Sequence, residues 1–261
     1  MITLTGKEAL YIAAKIGAEQ FPGIRNDFLN MSLAEIKKEC IAAQDSLIKK
    51  SYGELGFDGE FSIERNVQTL IKICTGADLY VLFEVASEYE RTYIQMYLKD
   101  GLCVKSVYTE GGYQLEESAK ADFCEELKTA VISNSNHNNK VTENKEMQLP
   151  QLAIEAIDDD SEINAIARIK SLGINDKTSA ALYNCFSKNN RSMHFMAADF
   201  AEGNIQELNG IISEEGNFLI SDIEREYEDM IKVSIVSSGE LLNRVINIMT
   251  KMGLWEEVGF I

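Results

Sequence analysis

Twice along this chain the helical spacing of apolar residues gives way to short runs with the period of two of a β-strand, and a chain that does this must be built from both sheet and helices. The first set is Leu79 to Ala86, Thr92 to Lys99, Leu102 to Tyr108 and Tyr113 to Ser118, with the turn dipeptides Asp100-Gly101 and Gly111-Gly112 between runs. That is a four-stranded antiparallel meander. The second set is His194 to Phe200, Ile205 to Ile212, Asn217 to Glu224 and Met230 to Ser237. Leu79 and His194 open their sets 115 residues apart, and Gly101 and Gly216 fall in the second turn at the same offset. The order helix, four strands, helix is thus used twice. It predicts an α+β fold of two pseudo-repeated antiparallel β-meanders, each flanked by helices, that join into one sheet or face each other across a core. The alternative is two unrelated domains packed together.

Four capping signatures place the helices. Thr5-x-x-Glu8 opens the stripe Leu10, Ala13, Ala14 and Gly17, a helix closed by Pro22 and Gly23. Ser32-x-x-Glu35 precedes Leu33, Ile36, Cys40, Ala43 and Leu47, whose spacings of three and four predict an amphipathic helix packed on a core. A short hairpin follows from Tyr52 to Phe61 with Asp58-Gly59 at its turn, then a helix with Val67, Leu70, Ile71 and Cys74. Helix, hairpin and helix resemble a winged-helix element. Asp122-x-x-Glu125 starts a helix carrying Phe123, Leu127 and Val131. Ser237-x-x-Glu240 starts a C-terminal helix carrying Leu241, Val245, Ile248, Met249 and Met252. Further helices are expected from Ser161 to Leu172 and from Thr178 to Phe186. Residues 133 to 150, SNSNHNNKVTENKEMQLP, have too few large apolar side chains to offset the entropy of ordering, and read as a flexible polar linker. The expected organisation is an N-terminal α+β half, 1–132, the linker, 133–150, and a C-terminal α+β half, 151–261.

Charge and composition exclude several functions. With 45% apolar residues the chain can bury a core, while its formal charge of −17 repels phosphate backbones and anionic lipid. Nucleic acid and membrane surfaces are therefore not expected partners. No stretch approaches the roughly 20 apolar residues of a membrane span and the first residues lack a signal-peptide pattern, so the expected location is the cytoplasm. Five cysteines without CxxC spacing argue against disulfides and zinc and read as small buried hydrophobes. The only two histidines, His137 and His194, lie in the linker and at a strand start, and no phosphate-binding glycine motif occurs. Asp158-Asp159-Asp160 with Glu162 lacks the alternating ligands and glycine of a calcium loop and reads as helix N-terminal charge. The run Glu224, Glu226, Glu228 and Asp229 reads as a solvated edge. No catalytic residue, cofactor or metal site is expected.

The aromatic pattern is more informative. Tyr93, Gln95 and Tyr97 share one face of their strand, and Ile94, Met96 and Leu98 share the other. An outward Tyr-Gln-Tyr row suits protein recognition; the competing reading is that it sits beneath a second layer of the fold. The apolar C-terminus, Leu254, Trp255, Val258, Phe260 and Ile261, is expected to pack back on the body.

Two segments, LTGKEALYIAAKIGAEQFPG at 4–23 and QDSLIKKSYGELGFDGEFSIERNVQTLIKICTGADLYVLFEV at 44–85, carry a resemblance to the EspG-like chaperones of type VII (ESX) secretion systems. They follow that family's order of an opening helix ending near proline, a helix leading to a short hairpin, another helix and a meander. The resemblance implies a cytosolic chaperone that binds the tip of a helical secretion substrate and keeps it soluble, with the client on the sheet surface and the C-terminal helical part. Carried to this sequence, the implied protein-binding residues are Tyr93, Gln95 and Tyr97, then Leu219 and Ser221 in the matching strand, and the helix containing Leu241, Val245 and Ile248. The linker departs from the family pattern, and the expected clients are WXG- or LXG-type proteins in place of PE/PPE pairs. An immunity protein for a secreted toxin would share the acidity and the lack of catalytic motifs. A winged-helix regulator ranks third, because residues 62–74 hold only Arg65 and Lys72 as positive charges.

Overall fold

The computed structural model describes residues 1–137, 146–151, 154, 157, 161–187, 190–223 and 230–255. The elements run β1 (Ile2–Leu4), α1 (Gly6–Lys15), α2 (Leu33–Lys49), β2 (Gly53–Leu55), β3 (Phe61–Ile63), α3 (Arg65–Thr75), β4 (Leu79–Ala86), β5 (Arg91–Lys99), β6 (Leu102–Thr109), β7 (Gly112–Glu117) and α4 (Lys120–Asn134). Then come β8 (Glu146–Pro150), α5 (Glu162–Ser171), α6 (Asp176–Phe186), β9 (Arg191–Asp199), β10 (Asn204–Ser213), β11 (Gly216–Ile223), β12 (Met230–Val236) and α7 (Ser238–Lys251). The α+β class and both meanders, β4–β7 and β9–β12, are present as the sequence predicts. The chain forms two compact units, residues 1–82 with 93–123 and 198–205, and residues 83–92 with 124–197 and 206–261, so β4, β5, β9 and β10 each contribute to both. Three expectations fall at least partly outside the described residues: the centre of the linker, the acidic runs at 158–160 and 224–229, and the apolar tail beyond Trp255.

In the first unit the strand order is β1-β7-β6-β5-β4. The β5–β6 turn has two residues, Asp100 at φ 50° and Gly101 at φ 78°, the left-handed pair whose twist suits a hairpin. Strand β1, too short to show a period in the sequence, pairs antiparallel with β7 through Ile2↔Leu115 and Leu4↔Tyr113. Gly112 makes that pairing possible, because a Cβ there would overlap the Leu4 carbonyl.

Both expected capping boxes at the starts of α1 and α2 are formed. Helix α1 nevertheless stops well before Pro22. Gly17, at φ 80°, sends its N–H to the Ala14 carbonyl and Ala18 sends its own to Ala13, the paired bonds of a left-handed C-terminal cap. Gly17 is thus a stop signal and not a core position. The same closure ends α2, where Ser51, at φ 60°, bonds to Ile48 and Tyr52 bonds to Leu47. A second departure concerns the apolar face of α2, of which only Ala43 and Leu47 are buried while Leu33 is 86% exposed. Helix α1 has 10 residues and α2 has 17, roughly 15 Å against 25 Å of axis, so α1 cannot cover all of its neighbour.

In the second unit the order is β9-β10-β11-β12-β8. Strand β8 corrects the linker expectation. Glu146 and Gln148 are exposed while Met147 and Leu149 are buried, and these residues pair antiparallel with β12 through Met147↔Val233 and Leu149↔Ile231. Around them Phe218, Ile231, Val233 and Ile235 pack with Ala165 and Ile169 of α5 and Ala181, Leu182 and Cys185 of α6. The other end of the expected linker is also fixed. Residues 133–134 finish α4, and the Asn217 amide holds Asn136, accepting its N–H at 2.7 Å and donating to its carbonyl at 2.9 Å. The β10–β11 turn is Glu214-Glu215, which makes Gly216 the first residue of β11 and shifts its correspondence with Gly101 by one.

Candidate protein-binding surfaces

The Tyr93, Gln95 and Tyr97 row does not face solvent. All three are buried, Gln95 and Tyr97 to 0% exposure, which corrects the expectation of an outward recognition face. The cover is the segment joining α1 to α2. The Tyr97 hydroxyl donates to the Pro22 carbonyl at 2.8 Å and the Tyr93 hydroxyl to the Gly23 carbonyl at 2.6 Å. Beneath them the Gln95 amide donates to Tyr80 Oη at 2.6 Å and to Tyr93 Oη at 3.0 Å. Phe21 meets the Tyr97 ring edge-on at 6.0 Å, and Tyr80 lies 5.2 Å from it. Burial first, then the neighbouring Tyr80 and Cys74, push the Tyr97 hydroxyl well above its ordinary range, so it remains a neutral donor. Gly23 sits at φ 73°, and any side chain there would run into Gln95 and Tyr80. Only glycine fits this contact.

The other expected binding residues share that fate. Leu219 is buried in β11, and Leu241, Val245 and Ile248 form the buried stripe of α7. A helix with one apolar stripe has none left over for a partner once that stripe is packed. Ser221 alone among the eight lies at the surface. Leu254 is buried, its carbonyl accepting from the Cys124 thiol at 3.6 Å, so this part of the tail packs back as expected.

The exposed apolar surface lies elsewhere. In the first unit a groove of about 390 Å³ runs between α1 and α2, lined by Leu10 and Ala14, by Phe21 and Phe28 of the connecting segment, and by Ile36 and Cys40. Leu33, one turn before Ile36, and Ile41, beside Cys40, are exposed, as is Leu29. Phe57, at the tip of the β2–β3 hairpin, is fully exposed and is flanked by Glu54, Asp58 and Glu60. The sequence does not mark these side chains as exposed, because an amphipathic stripe shows that a helix needs cover without showing where the cover stops. In the second unit, Tyr89 projects from the turn between β4 and β5. A polar recess there is lined by Ser87, Asn136, His137, Arg191 and Glu214, with the Arg191 guanidinium donating to the Asn134 carbonyl at 2.9 Å. Among the described residues, no three His, Cys, Asp or Glu side chains are grouped as a metal site. The five cysteines are free thiols, four of them buried.

No protein-family model matches this sequence, and no curated protein matches it. A solved structure does. The type VII secretion system chaperone EspG5 of Mycobacterium tuberculosis, determined in complex with a PE25–PPE41 dimer, aligns over 94% of this chain and 94% of its own, with a TM-score of 0.60 and 12% sequence identity. This is an EspG-like fold. The similarity extends through both meanders and is not confined to the two N-terminal segments that carry the sequence resemblance. Among the described residues, no helix is long and apolar enough to cross a membrane.

Proposed function

We propose that this protein is a non-catalytic cytoplasmic chaperone that binds a helical substrate of a type VII secretion system and keeps it competent for export. The observation that carries this reading is the EspG-like fold over nearly the whole length of both chains, since the EspG5 structure is that of a secretion chaperone holding a protein dimer. The exposed Leu29, Leu33, Ile41 and Phe57 support it, because such side chains fit protein contact. The charge of −17 disfavours nucleic acid and lipid as partners. The substrate class we favour is a WXG- or LXG-type helical protein. The acidity equally suits an immunity protein facing a basic toxin, and one experiment separates the two. A purified WXG- or LXG-type substrate and a folded toxin domain from the same cell are each titrated into the protein and the products sized by light scattering. A stoichiometric complex with the substrate supports the chaperone; a complex with the toxin alone, together with loss of its activity, overturns it.

A further inference from the structure

The Tyr93 hydroxyl commits its proton to the Gly23 carbonyl at 2.6 Å, so toward the Gln95 amide, 3.0 Å away, it can only accept. The Gln95 group that faces it is therefore the NH2, which gives its other hydrogen to Tyr80 Oη, and the amide oxygen is turned away from both tyrosines. That oxygen, Gln95 Oε1, is fully buried and has no hydrogen-bond partner among the described residues. Directly across the β5–β6 ladder stands Ser106, 1% exposed, whose hydroxyl also lacks a partner. Residues opposite one another in an antiparallel pair share a face, with Cβ atoms about 4.5–5.5 Å apart. The residue opposite Ser106 on its other side is Leu115 of β7, which has no polar side-chain atom to offer. A serine hydroxyl turns to whatever partner is within reach, and no direct bond joins it to Gln95. Two buried polar groups without partners, side by side on one face, are a combination that native folds resolve with a third group between them.

We propose that a single buried water bridges Gln95 Oε1 and Ser106 Oγ, donating to the amide oxygen and accepting from the hydroxyl. The water is the first link of a chain that runs from Ser106 through Gln95 and Tyr93 to the Gly23 carbonyl. It holds the Gln95 amide in the orientation that keeps its NH2 on Tyr80 and Tyr93, and so positions the segment that covers them. A metal cation does not suit the same place, because two neutral oxygens fall far short of the roughly six to eight that calcium or magnesium requires.

A high-resolution crystal structure of the full chain tests this directly. The expected result is one ordered water about 2.7–3.2 Å from both Gln95 Oε1 and Ser106 Oγ. Ser106→Thr and Ser106→Val then separate the hydroxyl from its volume, since the two new side chains have nearly the same size and only threonine keeps the hydroxyl. The threonine variant is expected to retain the water and the valine variant to lose it. Hydrogen exchange, read by NMR, at the Ile24 amide, which bonds to the Phe21 carbonyl within the covering segment, is expected to run on the order of tenfold faster in Ser106→Val than in Ser106→Thr. A wild-type map with Ser106 Oγ bonded directly to Gln95 Oε1, or with no water between them, overturns the proposal. Equal exchange at Ile24 in the two variants overturns the positioning role. Should either variant fail to fold, the wild-type map alone decides.

Discussion

Replacing Gly23 with alanine should be among the most damaging single-methyl changes in the first unit. Gly23 lies at φ 73°, where an alanine costs about 1–2 kcal/mol relative to its preferred conformations. The added Cβ would overlap the Gln95 amide and the Tyr80 hydroxyl, so the segment must lift. Lifting stretches the bonds from Tyr93 to Gly23 and from Tyr97 to Pro22, each contributing on the order of 1 kcal/mol. The sum is about 3–4 kcal/mol, a large share of the roughly 5–15 kcal/mol that stabilises a typical domain. Urea unfolding of Gly23→Ala against wild type measures it as a lowered midpoint. Adding Gln95→Ala gives the chain room for the new methyl, so the double variant should lose less than the sum of the two single losses. A Gly23→Ala loss below about 1 kcal/mol, or strict additivity with Gln95→Ala, would refute the close packing of this segment on the tyrosines.

Three further outcomes are expected. Asn217→Ala removes the two bonds that Asn217 makes to the Asn136 backbone, leaving those to Ser213 and Ser238, and should destabilise by roughly 2 kcal/mol and speed hydrogen exchange at the Asn136 amide, read by NMR. Glu8 is buried, which alone would raise its pKa, but bonds from Lys50, Ser46 and the Thr5 amide hold it below the ordinary glutamate range. Its folded value being the lower one, its contribution is complete above the unfolded glutamate pKa of about 4.3 and fades as pH falls through the folded value, so Glu8→Gln should flatten the acid limb of a stability–pH curve. Ser237→Ala deletes the side-chain cap that accepts from the Glu240 N–H at 3.1 Å, and thermal unfolding should register about 1 kcal/mol of loss.

What the sequence revealed and what it hid divide along physical lines. Capping boxes and two-residue turns are local, so Thr5, Ser32, Ser237 and Asp100-Gly101 could be read directly and stand where expected. The period of two also located both meanders. It marks two faces without saying what covers them, so an outward Tyr93–Gln95–Tyr97 row and one beneath a second layer read alike in the sequence: the cover is the irregular stretch around Pro22 and Gly23, whose path depends on tertiary contacts about 70 residues away in sequence. Strand β8 was hidden by its polar surroundings, although the alternation Glu146, Met147, Gln148, Leu149 was legible once the segment was not averaged as a whole. The α1–α2 groove depends on where a shorter helix stops, and Gly17, which also fits the apolar stripe of α1, is the local sign of that stop.

The proposed function is that this protein binds a helical secretion substrate and keeps it soluble. Its most direct test is the amount of a purified WXG- or LXG-type substrate from the same cell left in the supernatant after dilution from denaturant, with and without an equimolar amount of this protein. The substrate is expected to stay soluble in a stoichiometric complex, and more of this protein beyond one equivalent should change little. Aggregation at the same rate in both samples, with this protein left folded and unbound, would contradict it.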